Sequence, residues 1–304
     1  MSGRPSAARN LKDRSIVAAI RARIRALGSD FNAEVVKATQ DVYRPVLGLA
    51  AVREQSDQPY GPEDRQRLDV YHSDASSGVV VYVHGGGFVG GDKRLDGSFY
   101  ANVGRFLARS GFTAVLPCYK LAPQASWPAA AHDVRDAIRW TRAHLPGVSS
   151  GDVPLFIVGQ SAGASHVASW LFDDASRGEP LGRVSGVVLM SGFYVARSPL
   201  SSNATAYFGA DPRCYAQRSP LFHVRRTEVP LMLTVAELEP ASIAGHTFEL
   251  AQALSVTNGH VPRIAWFDGH NHASTVMSIG SPQDDVSSAW LGFFRSSAGG
   301  GLGS

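Results

Sequence analysis

Cysteine and lysine are scarce in this chain. Only two of its 304 residues are cysteine, Cys118 and Cys214. Neither has a cysteine neighbour, which excludes a disulfide framework and a cysteine-based zinc site. Cys118 sits in an apolar, strand-like run and reads as core packing. Lysine stands at positions 12, 37, 93 and 120 only, so the basic side of the charge balance is arginine, which we take as coding bias. A charge excess is also missing. The 29 Lys and Arg face 26 Asp and Glu, for a net charge of +3. A dedicated nucleic-acid binder usually carries a basic stripe, so no nucleic-acid partner is expected. No stretch approaches the roughly 18 apolar residues of a membrane helix, so no membrane span is expected. After Arg4, Arg9, Lys12 and Arg14 the apolar run Ile16 to Ile20 is too short for a secretory signal. The Arg-rich start has the character of a mitochondrial transit peptide. The plainer reading is an amphipathic helix with Ile16, Val17, Ile20, Ile24 and Leu27 on one face, and a cytoplasmic protein.

What is present suits one large α/β domain. Apolar residues are 44% and charged residues 18%, enough to bury a sizeable core. Residues 1–60 read as a helical, cap-like segment, with a second helix over Asp30 to Tyr43. Residues 61–296 form the main domain, and 297–304 a flexible tail. The polar stretch Ala50 to Arg67 marks the boundary. Strands are predicted at Leu68–His72, Val79–His84, Thr113–Tyr119, Leu155–Gly159, Gly186–Met190, Pro230–Ala236 and Ile264–Phe267. Helices are predicted at Phe99–Arg109, Ala129–His144, Ala162–Phe172, Ile243–Leu254 and Val286–Phe294. This alternation predicts a mostly parallel sheet covered on both faces. Val79 to Val83 and Leu231 to Leu233 are nearly continuously apolar, as strands buried on both faces must be.

Two motifs carry chemistry. Gly159-Gln160-Ser161-Ala162-Gly163 follows an apolar strand and opens a helix, the setting of a nucleophile elbow. The chain must turn sharply there, and side chains at 159 and 163 would crowd the turn. His84-Gly85-Gly86-Gly87-Phe88 ends an earlier strand. Its glycines let backbone N–H groups approach a developing oxyanion. No Lys-Ser/Thr follows, so a Walker-type phosphate loop is excluded. A serine nucleophile needs a base and an orienting acid, in the order Ser, acid, His for this kind of fold. Gly269-His270-Asn271-His272-Ala273-Ser274 supplies the histidine. Ala236-Glu237-Leu238-Glu239-Pro240 supplies the acid.

These motifs, with Tyr119-Lys120-Leu121-Ala122-Pro123 and Trp127-Pro128-Ala129-Ala130 ahead of Asp133, give the chain its resemblance. From about residue 65 to 295 it resembles carboxylesterases of the α/β-hydrolase superfamily, in the hormone-sensitive-lipase-like or the arylformamidase-like branch. The resemblance implies an α/β-hydrolase fold with a small helical N-terminal cap. It implies Ser161, Glu239 and His272 as catalytic residues and the N–H groups of Gly86, Gly87 and Ala162 as the oxyanion hole. His84 is expected to hold its loop rather than react. The chain departs from the family pattern at Gln160 and Lys120, and in carrying Glu rather than Asp as the acid. Glu237 competes with Glu239, and His270 with His272; Asp268 is a third, poorer acid. The other histidines, including His132, His144, His166 and His246, read as satisfied helix residues.

Phe88, Trp127 and Phe193 are expected to contact substrate, with Tyr194 and Tyr207 nearby. Phe31, Val35, Val36 and Tyr43 would shape an acyl pocket if the N-terminal segment covers the site. The connection before the acid loop is read as short, with no large second cap. The expected function is hydrolysis of a small-molecule ester, short-to-medium acyl or aryl, without metal or cofactor. Formamide hydrolysis on the same residues and a non-catalytic binding role are the alternatives. The resemblance also admits a homodimer through an edge strand.

Overall fold

The computed structural model describes residues 7–48 and 50–299. Eight strands form one sheet: β1 Arg53–Pro59, β2 Arg67–His72, β3 Val79–Val83, β4 Thr113–Pro117, β5 Leu155–Gln160, β6 Gly186–Met190, β7 Leu231–Leu238 and β8 Arg263–Asn271. Their order is β1-β2-β4-β3-β5-β6-β7-β8. β1 and β4 each pair antiparallel with β2, and the remaining pairs are parallel. Helices follow as α1 Ala7–Leu27, α2 Ala33–Tyr43, α3 Ala101–Arg109, α4 Ala129–His144, α5 Ala162–Phe172, α6 Asp174–Arg177, α7 Ser202–Phe208, α8 Tyr215–Arg218, α9 Ala241–Asn258, α10 Ser274–Met277 and α11 Asp285–Gly299.

Every residue of β3, β4, β5 and β6 is buried. Their side chains alternate between two cores, as a two-residue period requires. Val79, Val81, Val83, Ile157 and Leu189 meet α4, α5 and α9 on one face. Val80, Tyr82, Phe156, Val158 and Met190 meet α3 and α11 on the other. Full burial of each such side chain stabilises by roughly 1.5–3 kcal/mol. The register sets Val83 beside Gly159 and Gly159 beside Leu189. The carboxyl ends of β3, β5 and β6 therefore lie side by side, where ligands bind in open α/β sheets.

The N-terminal segment packs on this carboxyl end. Ile20 and Ile24 of α1 and Val42 and Tyr43 of α2 share a third core with Phe99, Ala273 and Met277. Arg21 pairs with Asp268 at 2.9 Å and Asp285 at 2.8 Å, and Arg25 pairs with Glu237 at 3.0 Å and Asp268 at 2.6 Å. Gly28 takes a φ of +73° between the two helices. Asn32 then caps α2, accepting from the Val35 N–H at 2.9 Å.

Three features differ from the sequence expectations. β1 runs through the stretch taken as a polar boundary. α11 continues to Gly299, so residues 297–299 of the expected tail are helical, while 300–304 and Arg4 lie outside the described residues. The connection between β6 and β7 carries α7 and α8 and forms a cavity wall. Among the described residues no helix is long and apolar enough to cross a membrane.

Candidate active site

Ser161 stands between β5 and α5 with φ 54° and ψ −122°. A non-glycine residue adopts that conformation only where surrounding structure enforces it. The two flanking glycines allow the enforcement. A Cβ at Gly163 would lie 2.3 Å from the Val83 carbonyl oxygen, and one at Gly159 would lie 2.7 Å from the Ala164 Cα. The Ser161 N–H donates to the Met190 carbonyl at 2.8 Å, tying the elbow to β6.

His272 follows β8 and reaches Ser161, with Nε2 2.9 Å from the serine Oγ. Its Nδ1 donates to Oε1 of Glu239. The Ser191 hydroxyl donates to Glu239 Oε2 at 2.5 Å, and the Ala236 N–H donates to the same oxygen at 3.2 Å. Burial pushes the Glu239 carboxyl up. The charge and hydrogen bond of His272, with the Ser191 hydroxyl and the Ala236 N–H, outweigh burial and hold it below the usual carboxylate range. Glu239 thus fits as an ionised, fully partnered acceptor.

The competing residues sit elsewhere. Glu237 accepts from the Gly269 N–H at 2.6 Å and pairs with Arg25, facing away from the imidazole. Asp268 pairs with Arg21 and Arg25. His270 is fully buried, with Nδ1 against the Ser274 hydroxyl at 3.0 Å.

Gly86 and Gly87 have φ of +149° and +57°. A Cβ at Gly86 would lie 1.9 Å from the Gly90 carbonyl oxygen, so the loop closes only without a side chain there. Ala162 opens α5, where the first N–H groups have no intrahelical acceptor. Gly86 and Gly87 line a cavity together with Ser161, and the positive end of the α5 dipole begins beside that serine. His84 is buried and donates from Nδ1 to the Gly85 carbonyl at 2.7 Å, its ring stacked on Tyr119 at 4.4 Å. Burial lowers its pKa to about 4, so the ring is a neutral brace for the loop.

Two cavities meet at Ser161. One, of about 390 Å³, is lined by Phe31, Val36, Leu95, Phe99, Gln160 and Met277 among others, and includes His272. The other, of about 520 Å³, is lined by Phe31, Phe88, Phe193, Leu200, Ile243 and His246 among others. Phe31 also packs edge-on against His272, ring centroids 4.2 Å apart. Of the N-terminal candidates, Phe31 and Val36 face cavity. Val35 lines neither cavity, and the Tyr43 hydroxyl is buried against Gln283 at 2.9 Å.

Phe88 and Phe193, expected to contact substrate, line the larger cavity. Trp127 does not. Its ring packs beside the main core with Arg218 over it at 5.8 Å, its backbone N–H donates to the Tyr207 carbonyl at 3.0 Å, and it lines neither cavity. Tyr207 lies behind Phe88, stacked on it at 4.9 Å, and Tyr194 is fully buried. His246, read from the sequence as a satisfied helix residue, lines the larger cavity with Nδ1 unpartnered. Ser191 was missed, although its place directly after the apolar strand Gly186–Met190 marks a sheet-end loop. Asp133 is buried and accepts from Gln66 at 2.8 Å and from the Lys120 N–H at 2.7 Å, pinning the Tyr119–Pro123 loop. Among the described residues no group of three or more His, Cys, Asp or Glu could hold a metal ion.

A mostly parallel sheet with a serine at a strand–helix elbow and a histidine after the last strand defines an α/β hydrolase. A family model described as alpha/beta hydrolase fold matches residues 80–255, and the chain belongs to that family. Esterase LipC of Mycobacterium tuberculosis is 32% identical over 108 residues, covering 34% of this chain and 26% of that protein. Kynurenine formamidase of Danio rerio is 30% identical over 149 residues, covering 48% of each. The chain spans between 10% and 51% of the length of the first curated relatives it matches. The solved Pyrobaculum calidifontis esterase shares the fold, with a TM-score of 0.69 at 21% identity over 92% of this chain and 98% of that one.

Proposed function

We propose that this chain is a serine-dependent carboxylic ester hydrolase acting on short-to-medium acyl or aryl esters. The observation that carries the reading is the hydrogen-bonded run from Ser161 through His272 to Glu239, opening onto two cavities. His272 Nε2 takes the Ser161 proton as Oγ attacks the carbonyl carbon. Glu239 fixes the imidazole tautomer and stabilises the imidazolium. The N–H groups of Gly86, Gly87 and Ala162 receive the oxyanion. His272 then returns the proton to the leaving alcohol. Water, deprotonated by the same imidazole, releases the acid from the acyl-enzyme.

Cavities of about 390 and 520 Å³ suit modest substituents rather than long triglyceride chains. Residues 1–60 act as a cap, through Phe31 and Val36 in the cavity walls. The same machinery serves a formamide, and the kynurenine formamidase relative favours that as the second reading. A homodimer forms through the exposed β8 edge, where Ile264 is 41% and Trp266 57% exposed.

A p-nitrophenyl ester series from acetate to long chains, run beside an aryl formamide with Ser161→Ala as control, tests the reading. Turnover that falls with acyl length and vanishes in the variant supports it. Preference for the formamide moves the chain to the second reading. Turnover that survives in Ser161→Ala sinks both.

A further inference from the structure

Gln160 precedes the nucleophile, yet the acyl-transfer steps above do not use its side chain. The residue is 4% exposed and lines the smaller cavity. Its Oε1 is buried with no hydrogen-bond partner. A buried amide oxygen without a donor is costly, and native structures rarely keep one without reason. Its place is well defined. The position of a Cβ on Gly85 lies 2.2 Å from the Gln160 Oε1 and 3.1 Å from the Ser161 Cβ. The amide therefore occupies the space that Gly85 leaves open, within a few ångströms of the reacting serine. Around it the cavity wall is mostly apolar, with Phe31, Val36, Leu95, Phe99, Val276 and Met277 beside Tyr100. Asn32 and Asn203 stand at its exposed rim.

The chemistry decides which limb of an ester meets this amide. In the tetrahedral intermediate the oxyanion points to the glycine loop. The leaving oxygen must collect its proton from His272 Nε2, so the alcohol limb lies on the histidine side. His272, Ala273, Val276 and Met277 line the smaller cavity, and none of them lines the larger one. The alcohol limb enters the smaller cavity, and the acyl limb takes the larger.

We propose that Gln160 determines specificity for the alcohol limb by hydrogen-bonding a hydroxyl on the carbon next to the one bearing the ester oxygen. The preferred substrate class is then a monoester of an apolar 1,2-diol. Its hydrocarbon body packs among Leu95, Phe99, Val276 and Met277, and its free hydroxyl meets the amide. A hydroxyl both donates and accepts, so it satisfies the amide in either orientation. This rests on the ester-hydrolase reading and names the substrate of that same site.

The test compares hexyl butyrate with 2-hydroxyhexyl butyrate, following butyrate release. The enzymes are the wild-type, Gln160→Met, Gln160→Leu and, as a blank, Ser161→Ala. The wild-type is expected to favour the hydroxylated ester by about tenfold or more in kcat/KM, the size of one well-made hydrogen bond. In both Gln160 variants the ratio of the two kcat/KM values is expected to fall towards one. A wild-type ratio near one overturns the proposal and needs no variant to fold. A ratio preserved in a folded Gln160 variant overturns it as well. If neither ester shows Ser161-dependent hydrolysis, the ester-hydrolase reading fails and takes this one with it. Hydrolysis of both esters without preference sinks this one alone.

Discussion

The Ser191 hydroxyl donates to Glu239 Oε2 at 2.5 Å, occupying the carboxylate oxygen that His272 leaves free. It fixes the carboxylate plane from the side opposite the imidazole. Ser191→Ala leaves that oxygen with the Ala236 N–H alone. The expected outcome is a fall in kcat of about tenfold with KM nearly unchanged, and a stability loss of about 1–2 kcal/mol. Steady-state kinetics on p-nitrophenyl butyrate and urea melts check both.

The two glutamates at the carboxyl end of β7, Glu237 within the strand and Glu239 just after it, separate cleanly by role. Glu239→Gln removes the imidazole's orienting charge and should cost about 10²–10⁴ in kcat. Glu237→Gln weakens an exposed contact to Arg25, which contributes little to stability. Its kcat should fall by less than tenfold. A larger loss in Glu237→Gln than in Glu239→Gln would reverse the assignment.

Gly163 tolerates no side chain, because a Cβ would lie 2.3 Å from the Val83 carbonyl oxygen and 2.4 Å from that of His84. Both are backbone atoms that cannot step aside. Gly163→Ala should lower stability by about 1–3 kcal/mol and prise β3 from the elbow, removing most activity. Gly245→Ala, where nothing lies within 4 Å, is the matched control and should melt at or slightly above the wild-type temperature.

Acid sensitivity has one identifiable contributor at the α1 contact. The His270 imidazole, and the Arg21 guanidinium against an opposing push from burial, lower the Asp285 carboxyl from its ordinary 3.8 to about 2. A depressed carboxylate stabilises the fold above its unfolded-state pKa and loses that contribution as pH falls through the folded value. The melting-temperature difference between wild-type and Asp285→Asn should therefore be steady near neutral pH. It should shrink from about pH 4 downward and close below about pH 2. Because the carboxylate is partly exposed, the effect at neutral pH stays below about 1 kcal/mol. A difference that keeps its neutral-pH size at pH 2 contradicts this.

Pairing through β8 is tested by sedimentation. Trp266→Glu places a charge on the exposed edge and should shift a dimer to monomer without loss of the fold. A wild-type that sediments as a monomer removes the homodimer from the reading.

The parts of the fold buried on both faces were legible in the sequence. Val79 to Val83 and Leu155 to Val158 announce themselves because each of their side chains must be apolar. The elbow and the glycine loop were legible for a related reason: backbone crowding at Gly159, Gly163 and Gly86 leaves one residue type. β1, with the sequence Arg-Glu-Gln-Ser-Asp-Gln-Pro, was not. It lies at the sheet edge and no position in it is fully buried, so no apolar pattern marks it. Trp127 lines neither cavity, because a place near a strand end in sequence says nothing of the direction of a side chain. Ser191 and His246 acquire their surroundings from β7, β8 and the β6–β7 connection, distant in the chain. The choice of Glu239 over Glu237 rested on family spacing, and the geometry that separates them is tertiary.

Phe31 stands in the wall of both cavities while its ring leans on His272. A group on one side sets where that ring rests, and so the room left on the other. Two ends of a single ligand are then not judged separately. Their contributions carry a cross-term, and a table of preferences measured by varying one end at a time will misorder molecules changed at both. In Phe31→Ala that cross-term should collapse, and the two ends should become additive.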